Sequence, residues 1–222
     1  IIGAKYIRDV ENGEIVCVEN GKLQSLKPFP TKKIRPCVFE YIYFSRPDSL
    51  LNGECAYEYR KRLGVELAKE SNIDADVVVP VPDSGNAAAI GYSKHSGINF
   101  ELGIIRNHYV GRTFIEPAQK IRSFGVKLKL NANKSSIKNK KIVLVDDSLV
   151  RGTTSHKIVN MLYDAGAKEV HLRIACPEIK FPDFYGVDMP TKKELLAANK
   201  SVDEICKFIN AKSLKFLSVD GL

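Results

Sequence analysis

The chain has 222 residues, of which 44% are hydrophobic and 27% charged, and its formal net charge is +8. That length suits one large domain, or one domain with appendages, and it allows a sizeable hydrophobic core. The composition is ordinary for a soluble globular protein, and no apolar run approaches the roughly 20 residues of a membrane-spanning helix. We therefore expect no membrane association.

The positive charge suits a polyanionic partner, either nucleic acid or a small polyphosphate. The 34 lysines and arginines are spread along the chain with acidic residues between them. Aromatic residues are not interleaved with basic clusters as they are on an RNA-stacking surface. We therefore expect no nucleic-acid partner.

The ends of the sequence indicate whether it is a fragment, and its cysteines indicate the redox environment of the protein. The chain begins Ile1-Ile2-Gly3 without the features of a signal peptide, and its last residues resemble a strand cut off at a turn, so we expect a fragment or an excised domain. The five cysteines are odd in number and form no CxxC pair, which favours a reducing cytoplasm over a disulfide framework. We expect each to be a small buried residue.

The first part of the chain predicts a hairpin and then a single strand and helix. Residues 14–26 alternate around Asn20-Gly21, a strong hairpin signal. Residues 37–44 are β-branched and aromatic, which predicts a strand. Residues 54–71 have apolar positions at helical spacing.

An alternation of short apolar runs and helices follows and predicts a mainly parallel central sheet flanked by helices. The predicted strands span 77–81, 100–105, 141–145, 169–175 and 214–219, and the predicted helices 86–94, 153–165, 191–199 and 201–209. We divide the chain into a connecting hairpin segment packed on the core (1–36), a core (37–190) and a C-terminal appendage (191–222).

The segment with the clearest chemistry is residues 142–155. Four apolar residues form a buried strand, Asp146 and Asp147 follow at its carboxyl end, and Gly152 opens a helix that carries hydroxyl side chains. Ligands bind at this edge of open α/β sheets, and helix N-termini favour phosphate. Adjacent acids beside a phosphate cradle suggest a ligand with vicinal hydroxyls and a phosphate. The GxxxxGK[ST] string of a Walker A motif is absent from the sequence.

Residues 143–148 with 151–154 resemble the motif with which type I phosphoribosyltransferases bind 5-phosphoribosyl-1-pyrophosphate (PRPP). Longer strings narrow the resemblance to the amidophosphoribosyltransferase family, over nearly the whole chain. These strings are residues 39–49, 108–115 and 185–190.

The resemblance implies a type I phosphoribosyltransferase fold with a mobile lid loop at 106–122. It assigns PRPP binding to Asp146, Asp147, Ser148, Arg151, Gly152, Thr153, Thr154 and Ser155, and pyrophosphate binding to Ser84 and Gly85. It places Arg106, Tyr109, Arg112 and Lys129 in the catalytic site, and Mg²⁺ at Asp146 and Asp147. Ser84 is either a further metal contact or the N-cap of the following helix. Members often carry lysine where Arg106 stands, and a hydroxyl or small residue where Gly85 stands.

The reaction implied is attack of ammonia on C1 of PRPP with loss of pyrophosphate, the first committed step of purine synthesis. No residue matches the glutaminase domain of the full enzyme, so that domain is expected to be missing or on another chain. Purine nucleotide inhibitors and homo-oligomers are typical of the family. Cys37 matches one iron–sulfur ligand of some members, but Asp183 stands at the next ligand position, so we expect no cluster.

Two alternatives share the PRPP motif. A salvage nucleobase phosphoribosyltransferase would need a stacking pocket for a base. Enzymes of that class do not carry the strings that this chain has at 39–49 and 109–115. A PRPP-sensing regulator usually carries a helix-turn-helix, whereas the residues before Cys37 predict a hairpin.

Overall fold

The structure is a computed structural model that describes residues 3–33, 35–107, 109, 130–183 and 191–222. The chain forms two compact units, Ile1–Val38 and Phe39–Leu222. Within the described ranges, no helix combines the length and the apolar character that crossing a membrane requires.

The first unit contains the predicted hairpin. Strands β1 (Ile15–Glu19) and β2 (Lys22–Leu26) pair antiparallel, with Glu19 opposite Lys22. Asn20 and Gly21 form the turn with φ of 50° and 74°, and this left-handed backbone is why the Asn-Gly pair predicts a hairpin.

The second unit begins with a short π-helical turn (Glu40–Phe44). The strand predicted for residues 37–44 is therefore wrong. Ile42 is buried, and the guanidinium of Arg60 donates hydrogen bonds to the carbonyls of Tyr41 (2.7 Å) and Ser45 (2.8 Å). These tertiary contacts override the weak strand preference of aromatic and β-branched residues.

The remaining elements follow in chain order. They are β3 (Leu50–Leu51), β4 (Glu54–Cys55), α1 (Ala56–Ser71), β5 (Val77–Pro80), α2 (Asn86–Ser96), β6 (Ile104–Arg106), β7 (Leu130–Ala132), α3 (Lys134–Ile137), β8 (Lys141–Asp146), α4 (Thr153–Asp164), β9 (Glu169–Ile174), a 3₁₀ turn (Lys192–Glu194), α5 (Leu196–Asn199), α6 (Val202–Ile209) and β10 (Ser213–Phe216). The predicted helix at 191–199 is thus two short pieces.

The central sheet has the strand order β10-β9-β8-β5, and all of its neighbours run parallel. Apart from the half-buried first residues of β8 and β9, every residue of β5, β8 and β9 is buried. A parallel sheet covered on both faces accounts for these apolar runs, and it confirms the predicted α/β class. The carboxyl ends of the strands lie at one edge.

Helices α1 and α2 pack closely against each other. A Cβ on Gly64 would lie 1.9 Å from the carbonyl oxygen of Ala88, and a Cβ on Gly91 would lie 1.9 Å from that of Lys61. Only glycine permits this approach of the two backbones. Helix α2 begins directly after the loop that follows β5.

The predicted strand at 100–105 is largely wrong. Phe100 makes an isolated parallel bridge to Val78, after which the chain turns, and β6 pairs antiparallel with β7 in a separate two-stranded sheet. A Cβ on Gly103 would lie 2.7 Å from a side-chain methyl of Val79, so the bend needs a glycine. Alternating apolar runs do not reveal that the chain leaves the main sheet here.

The cysteines also differ from the expectation. All five are free, but only Cys176 is buried, whereas Cys17 and Cys37 are exposed. Cys37 lies outside any strand, so its predicted place in a buried strand is wrong.

Candidate functional site

The candidate site lies where the loops after two neighbouring parallel strands, β5 and β8, come together. The N–H of Val81 donates to the carbonyl of Val145 (2.8 Å), which extends the pairing past the end of β5. A Cβ on Gly85 would lie 2.5 Å from the same Val145 oxygen. The loop 81–85 therefore rests directly against the strand that delivers Asp146.

Asp146 and Asp147 are both buried, at 7% and 6% exposure. Oδ1 of Asp146 accepts a hydrogen bond from the backbone N–H of Asp147 (2.9 Å), and Oδ2 of Asp147 accepts one from the hydroxyl of Ser148 (2.6 Å). Burial raises the pKa of the Asp146 carboxyl well above its usual range, and the neighbouring charge of Asp147 adds to the rise. Two crowded carboxylates favour a cation or hydroxyl donors nearby.

Two further buried groups interact with Asp147. Burial lowers the pKa of the Arg60 guanidinium, and the negative charge of Asp147 acts in the opposite direction. Burial, with a smaller contribution from Asp147, raises the pKa of the Cys176 thiol to about 12. The raised pKa keeps the Cys176 thiol protonated and unreactive, whereas Arg60 is a buried cation whose pKa is affected by the charge of Asp147. Sequence patterns did not single out either residue for the site.

The loop 147–152 ends at Gly152, which has a φ of 72° and directly precedes α4. Among the described residues, the hydroxyls of Thr153, Thr154 and Ser155 have no hydrogen-bond partner, and α4 has no side-chain cap. The first N–H groups of a helix also lack partners within the helix. Hydroxyl and amide donors are thus available together, as the sequence predicted for a phosphate cradle.

Three C-terminal elements, the 3₁₀ turn, α5 and α6, contact this loop. A Cβ on Gly152 would lie 2.5 Å from a methyl of Leu196 and 3.3 Å from the ring of Phe208. The N–H of Leu196 donates to the carbonyl of Val150 (2.9 Å), and Nε of Arg151 donates to Glu194 (2.7 Å). The sequence offered no signal for these supports, since they join residues more than 40 positions apart.

The loop 81–85 brings Ser84 and Gly85 to the same edge of the sheet. The peptide bond between Pro82 and Asp83 is cis. The N-cap of α2 is Gly85, and Ser84 makes no hydrogen bond to the described residues, so the N-cap alternative for Ser84 is wrong. Within the described ranges, the buried Oδ1 of Asn86 also lacks a hydrogen-bond donor.

The predicted basic and aromatic residues of the lid are only partly described. Arg106 ends β6 and forms an ion pair with Asp83, which ties it to the loop after β5. Tyr109 is fully exposed, and its backbone N–H donates to Oδ1 of Asn107 (3.0 Å). Arg112, Lys129 and most of the predicted lid lie outside the described residues.

The acids fit the magnesium site that the resemblance implies. Carboxylate oxygens are ligands that Mg²⁺ prefers, and Mg²⁺ commonly takes one or two of them together with water and substrate phosphates. Asp146 and Asp147 supply two such groups. Among the described residues there is no cluster of three or more His, Cys, Asp or Glu side chains placed to hold a metal ion. Two carboxylates suit a Mg²⁺ ion that also binds water and substrate phosphates better than an ion held by protein ligands alone.

Two histidines, His156 in α4 and His171 in β9, have hydrogen-bond partners within the fold. Nδ1 of His156 lies 2.7 Å from the carbonyl of Phe208, and Nε2 lies 3.0 Å from the side-chain nitrogen of Asn160. His171 is buried between Ser213 (2.9 Å) and Glu169 (3.2 Å). Both nitrogens of each ring are thus within hydrogen-bond distance of another group of the fold.

Comparison with known proteins gives a consistent result. No protein-family model matches the sequence. The chain is similar to an amidophosphoribosyltransferase of Rhizobium etli, with 58% identity over 100% of the chain and 46% of the relative. The relative in Methanocaldococcus jannaschii is 50% identical over 100% of the chain and 50% of its own length. A chloroplastic relative in Glycine max is 52% identical, over 100% of the chain and 39% of its own length.

Solved structures agree with these relatives. The glutamine phosphoribosylpyrophosphate (PRPP) amidotransferase from B. subtilis, complexed with ADP and GMP, superposes with a TM-score of 0.84 at 50% identity, over 99% of this chain and 48% of that one. A structure described as the allosteric regulatory enzyme of purine biosynthesis gives a TM-score of 0.85 at 51% identity, over 99% of this chain and 47% of that one.

The chain spans about half the length of the curated relatives it matches, or less, at 46%, 39% and 50%. The similarity nevertheless covers this chain completely, in sequence and in fold, and it confirms the resemblance expected from residues 143–154 and the longer strings. The chain belongs to the amidophosphoribosyltransferase family, as a stretch that corresponds to about half of its relatives.

Proposed function

We propose that this chain carries the phosphoribosyltransferase part of an amidophosphoribosyltransferase: it binds PRPP and transfers ammonia to C1 of the ribose. The observation that carries the proposal is the buried Asp146–Asp147 pair at the carboxyl end of β8, directly followed by the Gly152 loop and α4. This arrangement offers acceptors for ribose hydroxyls and donors for a phosphate within one short segment. In the full enzyme the ammonia would come from glutamine.

The two ends of the segment have complementary tasks. Asp146 and Asp147 accept hydrogen bonds from the ribose hydroxyls, and burial strengthens these bonds because water is excluded. The hydroxyls and backbone N–H groups of residues 153–155 bind the 5-phosphate, assisted by the helix dipole. Ser148 holds one carboxylate oxygen of Asp147 and so fixes its orientation.

Asp146 and Asp147, with Ser84 as a further candidate, would hold Mg²⁺ when PRPP binds. The ion would neutralise negative charge on the pyrophosphate group as it leaves. Burial, and after it the charge of Asp147, raise the pKa of Asp146, and a cation beside the pair would offset both effects, which supports this assignment.

The chemistry asks for charge stabilisation more than for a base. The nitrogen of neutral ammonia forms a bond to C1 as the bond from C1 to the pyrophosphate oxygen breaks, and the new amine then loses a proton. Ammonia is already a nucleophile, so the reaction needs no strong general base. Arg106, beside the loop 81–85, is the described cation suited to the leaving pyrophosphate.

Other properties of the family remain proposals for this chain. The B. subtilis structure contains ADP and GMP, which supports binding of purine nucleotides here as well. We also expect assembly into homo-oligomers, because these are typical of the family. A cytoplasmic location stays a prediction, since some relatives are chloroplastic.

The salvage and regulator alternatives are not favoured. Three relatives that match the complete chain are amidophosphoribosyltransferases, and they are 50%, 52% and 58% identical to it. A salvage enzyme would share the PRPP loop without this similarity over the full chain.

The test is release of pyrophosphate from Mg²⁺–PRPP with either ammonium or free nucleobases as the acceptor. The proposal predicts release with ammonium and none above background with bases. Release with a base but not with ammonium would establish the salvage reading instead. Tight PRPP binding without any release would favour the regulator.

A further inference from the structure

The ion pair between Asp83 and Arg106 joins the loop after β5 to the end of β6. The two side chains are 49% and 29% exposed, and the contact uses Nη1 of the guanidinium and Oδ2 of the carboxylate. An ion pair this exposed contributes little to folding stability by itself. Its effect is to fix where the long Arg106 side chain points.

The rest of the Arg106 guanidinium is unsatisfied. Its Nε is buried and has no hydrogen-bond acceptor among the described residues, and Nη2 has none there either. Buried donors are nearly always paired in folded proteins, so an unpaired one calls for an explanation. An anion that draws the guanidinium into a hydrogen bond would supply the missing acceptor.

The position of Asp83 needs an explanation of its own. It lies one residue before Ser84 and two before Gly85, in the loop proposed to bind pyrophosphate. An unpaired carboxylate in this place would repel that ligand. Paired with Arg106 it is neutralised, and because the guanidinium has several N–H donors in a fixed plane it can serve a carboxylate and a phosphate at once.

We propose that Asp83 is a positioning residue: it holds Nη1 of Arg106 so that the remaining guanidinium donors bind an oxygen of the leaving pyrophosphate. This inference rests on the proposed function and adds a role to an acid that the sequence did not single out. Asp83 itself contacts neither the ribose nor the nitrogen acceptor in this account. Its influence passes entirely through Arg106.

A double-mutant cycle tests the proposal. Binding of inorganic pyrophosphate with Mg²⁺ is measured by calorimetry for the unmodified protein, Asp83→Asn, Arg106→Gln and the double variant. KM for PRPP and kcat with ammonium are measured for the same four proteins. The control is Asp74→Asn, since Asp74 also pairs with a basic residue, Lys141, but stands at the start of the parallel strands rather than at their carboxyl ends.

The expected result is that Asp83→Asn weakens pyrophosphate binding about tenfold, the scale of one hydrogen bond to a charged group. It should also lower kcat, because charge on the pyrophosphate grows in the transition state. In the Arg106→Gln background the same change should have less than about a twofold effect, since Asp83 then has nothing to position. Asp74→Asn should change neither quantity.

Three results would overturn the inference. Tighter pyrophosphate binding in Asp83→Asn would mean that the carboxylate merely repels the ligand. An equal loss in both backgrounds, with a lower melting temperature, would mean that Asp83 only supports the loop. Unchanged binding would remove any role. If the unmodified protein neither binds pyrophosphate nor uses PRPP, the proposed function itself fails; if it does both, only the role of Asp83 is at stake.

Discussion

Nε of Arg151 lies 2.7 Å from Oε2 of Glu194, and both side chains are 48% exposed. Arg151 belongs to the loop proposed to hold the 5-phosphate, whereas Glu194 belongs to the 3₁₀ turn that precedes α5. The next backbone contact reinforces the link, since the N–H of Leu196 donates to the carbonyl of Val150. The C-terminal elements therefore hold a side chain of the proposed phosphate-binding loop as well as covering that loop.

Replacing Glu194 by Gln should leave the stability of the protein unchanged but weaken its binding of PRPP. An exposed ion pair contributes about 0–1 kcal/mol to stability, so the melting temperature should barely change. Arg151 would lose its orientation, and KM for PRPP should rise about twofold to fivefold, on the same energy scale. The matched control is Glu66→Gln, which breaks a similar pair with Lys69 on α1. Equal effects of the two changes on KM would contradict a role for Glu194.

Gly152→Ala should damage both the fold and the site. Its φ of 72° disfavours a side chain, and the new Cβ would lie 2.5 Å from a methyl of Leu196. We expect a loss of about 2–4 kcal/mol in the free energy of unfolding, measured with denaturant, together with loss of PRPP binding.

Gly97→Ala separates the two causes, because Gly97 has a φ of 75° but no atom within 4 Å of its added Cβ. It should lose only about 1 kcal/mol, the cost of the left-handed backbone alone. If the two variants were equally stable, Leu196 would not be confining the phosphate loop.

Arg60 should be needed for the π-helical turn. It is buried, at 6% exposure, and donates to the carbonyls of Tyr41 and Ser45. Arg60→Met leaves these carbonyls without donors and should lower the free energy of unfolding by about 2–3 kcal/mol. Arg62→Met, at an exposed position two residues along α1, should change it by less than about 0.5 kcal/mol. An Arg60→Met variant at least as stable as the original would show that burying the guanidinium costs more than its hydrogen bonds return.

The buried His171 should make stability depend on pH. Burial lowers its pKa below the ordinary value of 6.5, aided by the charges of Arg173 and Lys141 and opposed by Glu169. The unfolded chain therefore takes up a proton at a higher pH than the folded chain does. The stabilising contribution is present above about pH 6.5 and is lost as the pH falls through the folded pKa.

Melting temperatures between pH 7.5 and pH 5 check this sign. The unmodified protein should lose stability on acidification, and His171→Gln should show a shallower slope whatever its stability at neutral pH. His95→Gln, at an exposed position, should keep the original slope. A His171→Gln variant with the original slope would show that other groups govern the pH dependence.

The parts of the molecule that the sequence predicted well are those determined by neighbours along the chain. The Asn20-Gly21 turn depends on two adjacent residues. The strand, the acids and Gly152 in residues 142–155 depend on one local pattern of apolar, acidic and small residues. The carboxyl ends of parallel strands lie at one edge of their sheet. The same pattern therefore predicted that Asp146 and Asp147 stand at this edge, where β8 ends.

The parts that escaped prediction depend on contacts between distant residues. Arg60 shapes residues 40–45 from α1, and Glu194 reaches Arg151 across 43 positions. The separate pairing of β6 with β7 follows from the bend at Gly103, which reflects packing against Val79. None of these partners is adjacent in sequence, so no local propensity identifies them.

The most direct test of the central claim is calorimetric titration with Mg²⁺–PRPP of the unmodified protein and of a variant with both Asp146→Asn and Asp147→Asn. The side chains keep their shape but lose the charge that accepts the ribose hydroxyls and the cation. We predict saturable binding to the unmodified protein, and no detectable binding to a variant that still unfolds cooperatively. A folded variant that binds PRPP as tightly as the original, or still turns it over, would contradict the assignment of this site.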